Sequence, residues 1–94
     1  MANQNSKNII NQIHSLFTNN SVYICDKYLV NDDKCRLNYH TSDNRCNEYI
    51  INIDLIENKF ETTIPVKSRN YAYKTITTNI NTLYDYLKYH ISNT

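Results

Sequence analysis

Glycine is absent from this 94-residue chain, tryptophan is absent, and proline occurs once, at Pro65. The missing glycine excludes whole classes of chemistry. A P-loop, a dinucleotide fingerprint, a Gly-rich kinase loop and a G-x-S-x-G elbow each need glycine, for a positive φ or for close approach of backbone to phosphate. Long apolar runs are missing too. None exceeds four residues, far short of the roughly 20 needed to cross a bilayer. Charge of one sign is also scarce: ten Lys/Arg face nine Asp/Glu, for a net charge of +1. That balance argues against a basic nucleic-acid arm or an acidic tail. Met1–Lys7 is polar, with no apolar signal core, and Ala2 excludes N-myristoylation. The expectation is an intracellular protein with no membrane partner.

The cysteines are three, Cys25, Cys35 and Cys46. An odd count without a secretory signal reads as reduced thiols. No C-x₂-C pair is present, and a zinc site needs three or four ligands, so neither a metal nor a cofactor is expected. The Asn19-Asn20-Ser21 sequon reads as a turn that ends a helix.

What is present is a pattern of helix, strands and helix in one domain over residues 1–94, with residues 1–5 expected to be disordered. Ile9, Ile10, Ile13, Leu16 and Phe17 recur at helical spacing, with Ser6 as N-cap and Asn19-Asn20 as the stop. Ile80, Leu83, Tyr84, Leu87 and Ile91 mark a second helix capped by Thr78 or Asn79, with Lys88 and His90 at its negative end. Each helix has a single apolar stripe and must pack against a sheet. Four alternating segments lie between them, at 21–30, 34–41, 46–56 and 59–67.

The hairpin registers are testable, because a one-residue slip inverts every side chain. A turn at Asp32-Asp33 pairs Val30 with Cys35, Tyr28 with Leu37 and Asp26 with Tyr39. A loop centred on Asp43 pairs Leu37 with Tyr49 and Cys35 with Ile51. A turn at Glu57-Asn58 pairs Leu55 with Phe60, Ile53 with Thr62 and Ile51 with Ile64. In the absence of glycine, Asp33 and Asn58 are the residues expected at positive φ. These choices, made separately, gather Val22, Ile24, Tyr28, Val30, Cys35, Leu37, Tyr39, Tyr49, Ile51, Ile53, Leu55, Phe60, Ile64 and Val66 on one face. Agreement across independent choices is what a foldable sequence provides. The predicted fold is α+β: an antiparallel four- or five-stranded meander with an N-terminal and a C-terminal helix packed on one face. Tyr71–Thr77 reads either as a fifth strand, through a turn at Ser68-Arg69, or as an extended lead-in to the last helix.

The other face is then solvated and mostly polar. Its exceptions define the candidate partner surface: Tyr23, Leu29, Ile50 and Ile56, flanked by Arg36 and His40. Cys46 falls opposite His40, but a Cys–His pair without an orienting third residue or an oxyanion hole does not make a catalytic site, and no catalytic residue is expected. His14 and His90 read as surface or helix-end residues. Lys27, Arg36 and Lys59 around the Tyr23 ring supply the alternative of RNA or single-stranded nucleic-acid binding. Glu48, Asp54 and Glu61 on the same face oppose it, and electrostatics dominates affinity for nucleic acid.

Two resemblances attach to these residues. The helix–strands–helix order resembles the double-stranded-RNA-binding fold at the level of topology. That family opens its second helix with a lysine cluster, where this chain has Asn79-Ile80-Asn81-Thr82. Phe, Tyr, Met, Ile, Asn and Lys fill 47 of 94 positions, whereas Gly, Ala, Arg and Pro supply six. With this bias and the run KFETTIPVKSRNYAYKTITTNINTLYDYLKYHIS over Lys59–Ser92, the chain resembles small proteins of AT-rich large DNA viruses of the mimivirus kind. The resemblance implies a viral protein in the host cytoplasm or the virion, and it carries no activity with it. The functional expectation is therefore a small non-enzymatic protein-interaction module. It self-associates as a homodimer or docks on a viral or host protein.

Overall fold

The computed structural model describes residues 4–65 and 72–92. Helix α1 (Gln4–Thr18) leads into strands β1 (Tyr23–Val30), β2 (Lys34–Thr41), β3 (Asn44–Asp54), β4 (Lys59–Pro65) and β5 (Ala72–Thr77), and helix α2 (Ile80–Ser92) follows. The strands form one open sheet in the order β1-β2-β3-β4-β5, with every neighbouring pair antiparallel. Both helices pack on the same face and touch each other, α1 over β1 and α2 over β4 and β5. The fold is the expected α+β meander, in its five-stranded form.

The helices form for the reasons their spacing suggests. Ile10, Ile13 and Phe17 of α1 are fully buried, and Ile9 and Leu16 pack half-buried beside them. The helix starts at Gln4, so Ser6 lies inside its first turn and does not cap it. Its far end stops as expected. The Asn19 N–H donates to the Ser15 carbonyl at 2.9 Å and the Asn20 N–H to Phe17 at 3.1 Å, while Asn20 Oδ1 accepts the Val22 N–H at 3.1 Å. At α2, Asn79 Oδ1 accepts the N–H of Asn81 at 2.8 Å and of Thr82 at 3.4 Å, an N-cap that satisfies donors left over by the helix.

The strand registers keep every predicted face on β2, β3 and β4, with two adjustments of length. Leu37 pairs with Ile51 and Cys35 with Ile53, and Ile53 pairs with Phe60. Each is two residues from the expected partner, and an even slip leaves the side chains on the same face. The cause at the β3–β4 turn is Asp54. Its Oδ1 accepts the N–H groups of Ile56 and Glu57, each at 3.0 Å, which fixes a longer turn over residues 55–58. Asn58 takes the expected positive φ, at 52°. Asp33 does not, and among the described residues Asn58 is alone in that region. Strand β5 pairs Phe60 with Thr77, Thr62 with Thr75 and Ile64 with Tyr73. That is the register a turn at Ser68-Arg69 implies; the turn itself, Val66 and Tyr71 lie outside the described residues.

Strand β1 departs from the expectation. Val30 pairs with Cys35 and Tyr28 with Leu37 as predicted, but the register shifts at a β-bulge between Cys25 and Lys27. Tyr39 pairs with Cys25, not with Asp26. The reason is electrostatic. An unbroken ladder from Val30 places Asp26 on the buried face beside Tyr39, where an isolated carboxylate costs several kcal/mol. The bulge takes Asp26 out of the ladder and inverts everything before it. Val22 and Ile24 become exposed, at 47% and 45%, and Tyr23 enters the core at 9%.

The core is centred on aromatic rings. Phe17 stacks on Tyr39 with centroids 4.0 Å apart and 5° between planes, and it meets Tyr23 and Tyr49 edge-on at 5.2 and 5.4 Å. Tyr23 in turn lies edge-on to Tyr49 at 5.5 Å. Such pairs contribute about 0.5–1.5 kcal/mol each beyond their burial. Helix α1 is thus fixed to the sheet at Phe17, and the opposite face of the sheet is left open.

Candidate functional site

The register defines the open face residue by residue. One row across the strands runs Leu29, Arg36, Asn52, Glu61, Ile76. The next runs Lys27, Asn38, Ile50, Thr63, Lys74. A third begins Ile24, His40, Glu48, and Lys34, Asp54 and Lys59 close the end near the β1–β2 and β3–β4 turns. Neither helix covers this face. Leu29 and Ile76 are large apolar residues left 52% and 54% exposed, one on each edge strand.

The expected partner residues separate on this map. Leu29, Arg36 and Ile50 lie on the open face, Leu29 and Arg36 exposed and Ile50 half-buried in its centre. Ile56 is exposed but belongs to the β3–β4 turn, because the turn starts after Asp54. Tyr23 is corrected outright: the bulge carries it into the core against Phe17 and Tyr49. His40 points to the open face yet is only 7% exposed. Ile76, which strand β5 adds to the face, was not among the expected residues; the fifth-strand register places it there.

His40 gains its cover from the bulge. Asp26, freed from the ladder, turns its carboxylate over the ring, and His40 Nδ1–H donates to Asp26 Oδ2 at 2.6 Å. Glu48, not Cys46, stands opposite His40. The expectation that no acid orients His40 is therefore overturned, since Asp26 does so from the neighbouring strand. The Cys46 side chain lies outside the described residues. Cys25 pairs with the inward Tyr39 position, on the helix-bearing side of the sheet. Burial raises the pKa of Cys35, and also that of Cys25, whose thiol donates to the Lys27 carbonyl. Both favour the protonated, less nucleophilic form.

The other two histidines are half-buried; His90 lies in the last turn of α2, as expected, and His14 lies inside α1. His14 on α1 lies over the Tyr28 ring at 4.0 Å and shares a 2.7 Å hydrogen bond with the buried Tyr39 hydroxyl. Burial lowers its pKa and raises those of Tyr39 and Tyr49. His90 on α2 stands 3.4 Å from the Tyr49 hydroxyl. His14 supplies a polar partner to the buried Tyr39 oxygen, and His90 stands beside a Tyr49 oxygen that also bonds Tyr23. A helical period with His14 next to Ile13 carries a faint signal of this, but the partner tyrosine is visible only in three dimensions.

Two concavities mark the surface. One, of about 400 Å³, lies on the open face toward the turn end and is lined by Leu29, Lys34, Arg36, Asp54, Lys59 and Glu61 among others. Its charges are mixed, three cations against two carboxylates. The second, of about 690 Å³, is a polar groove between the helices bounded by Asn11, Gln12, Ser15, Leu16, Tyr84 and Ile91 among others. Among the described residues no helix is long and apolar enough to cross a membrane. Comparison with protein-family models, with curated proteins and with solved structures gives no match to this chain. The geometry of the open face carries the functional reading alone.

Proposed function

We propose that this chain is a non-enzymatic protein-interaction module whose binding surface is the uncovered face of the sheet. The observation that carries the reading is the pair of isoleucine- and leucine-bearing edges on that face, Leu29 at 52% and Ile76 at 54% exposure. Between them lies a mixed-charge centre. Large apolar side chains exposed on an uncovered sheet face support that reading. The intracellular setting and the viral origin inferred from composition belong to the same proposal, with a viral or host protein, or a second copy, as partner.

The nucleic-acid alternative loses its stacking ring, because Tyr23 sits in the core. Carboxylates also share the face with its cations Lys27, Arg36 and Lys59. Lys74 pairs with Glu61 at 3.0 Å, and Lys59 stands opposite Asp54. A phosphate backbone binds where cations are in excess.

The test compares proteins retained from a cell extract by the immobilised chain, by the L29E/I76E variant and by S15E on the helix side. Loss with L29E/I76E and retention with S15E supports the reading. Equal retention by L29E/I76E overturns it.

A further inference from the structure

We infer that the concavity at the turn end of the open face binds a small organic phosphate, its dianion on three cations and its apolar part on Leu29. The inference goes beyond the reading of this face as a protein-interaction surface and does not rest on it. What carries it is the partnering of the charges that line the concavity. Lys34, Arg36 and Lys59 line it together with Asp54 and Glu61. Both carboxylates are engaged elsewhere. Glu61 pairs with Lys74 at 3.0 Å, and Asp54 Oδ1 accepts two backbone N–H groups of the β3–β4 turn. The three cations are not. Lys34 and Lys59 make no side-chain hydrogen bond or ion pair among the described residues. Arg36 engages its Nε alone, with Asn38 Oδ1 at 3.4 Å. Once Lys74 neutralises Glu61, three cations against the single Asp54 carboxylate leave a net charge of +2. A phosphate monoester carries about −2 at neutral pH and matches it.

The register gathers these groups around one point. Asp54 pairs with Lys34 on one side and with Lys59 on the other, so the two lysine Cα atoms stand about 10 Å apart. Flexible four-carbon stems close that distance over a single anion. Arg36 follows Lys34 on the same face of β2 and pairs with Asn52. Its free guanidinium nitrogens offer the fork that matches two phosphate oxygens. Asn52 is half-buried in the concavity with no side-chain partner among the described residues, and its carboxamide is a further donor. Leu29, beside Arg36 on β1, lies 52% exposed and gives the ester group an apolar contact. A volume of about 400 Å³ is in the range of small-molecule sites. A nucleic-acid strand needs a cation excess repeated along its backbone. The next row supplies only Lys27 and the already paired Lys74.

The experiment titrates phenyl phosphate into the full chain and follows backbone amide shifts by NMR. Saturable shifts at Lys34, Arg36, Asn52 and Lys59 are expected, with a dissociation constant of about 1 mM or lower. K34Q/K59Q, changed at two exposed positions, is expected to bind about tenfold more weakly. K27Q/K88Q removes two exposed lysines outside the concavity and is expected to change binding less than about twofold. Inorganic phosphate, which lacks the contact with Leu29, is expected to bind about tenfold more weakly than the ester. Native dispersion in the amide spectra shows that both variants are folded. No saturable shift at tens of millimolar overturns the site. Equal weakening by K27Q/K88Q and K34Q/K59Q overturns it as well, because binding then follows net charge alone. Equal affinity for inorganic phosphate overturns the organic ligand. A phosphotyrosine peptide that binds far more tightly than phenyl phosphate overturns the free small molecule and moves the phosphate to a partner protein.

Discussion

Single residues decide the chemistry of this molecule at three places. At Thr62, 1% exposed on the helix-facing side of β4, the hydroxyl Oγ1 has no hydrogen-bond partner. A buried hydroxyl without a partner costs about 1–3 kcal/mol. Replacement by the isosteric valine removes that cost, so Thr62→Val is expected to stabilise the fold by about 1 kcal/mol in urea unfolding. Destabilisation would show that the hydroxyl is satisfied in solution. At His14, burial favours the neutral ring and holds its folded pKa below the ordinary 6.5. The unfolded chain then binds more protons than the folded one as pH falls through 6.5, and stability rises with pH across that window. The contribution is complete above pH 6.5 and is lost progressively below it. The urea midpoint of the native chain is expected to fall between pH 7.5 and 5 more steeply than that of His14→Gln. Parallel curves would contradict the assignment. At Asp26, one carboxylate both breaks the β1 ladder and holds His40 at 2.6 Å.

At the scale of elements, the bulge in β1 separates what a sequence makes legible from what it does not. Helix stripes, the β1–β2 turn and the faces of β2, β3 and β4 all follow from periodicity, because a slip of one residue would bury polar side chains. Slips of two leave the pattern intact, so periodicity does not fix the exact partners of Leu37 and Ile53; for Ile53 the Asp54 hydrogen bonds in the β3–β4 turn do. The bulge had a visible warning, an aspartate at an inward position of an otherwise apolar strand. What alternation could not weigh was the gain from placing the Tyr23 ring against Phe17 and Tyr49 in exchange for exposing Val22 and Ile24. The candidate face inherits this split. Leu29, Arg36 and Ile50 were readable, Tyr23 was displaced by the bulge, and Ile76 appeared only once β5 paired with β4. The bulge is testable. Tyr23→Ala is expected to cost about 3 kcal/mol as a core aromatic truncation, whereas Ile24→Ala at its exposed position changes stability by about 0.5 kcal/mol or less. The regular ladder predicts the reverse order.

At the scale of the whole molecule, the meander packs two helices on one face and leaves the other uncovered. A sheet of five strands with one covered face is half of a sandwich, and its open side carries apolar groups on both edges. The absence of glycine fits this design. Turns are closed by Asp54 accepting two backbone N–H groups and by Asn58 at positive φ. The central claim is the proposal that the open face is a protein-interaction surface. The most direct measurement is retention of partner proteins from a cell extract by the immobilised native chain, beside L29E/I76E and S15E. The account predicts loss with L29E/I76E and retention with S15E. Equal retention by L29E/I76E would contradict it.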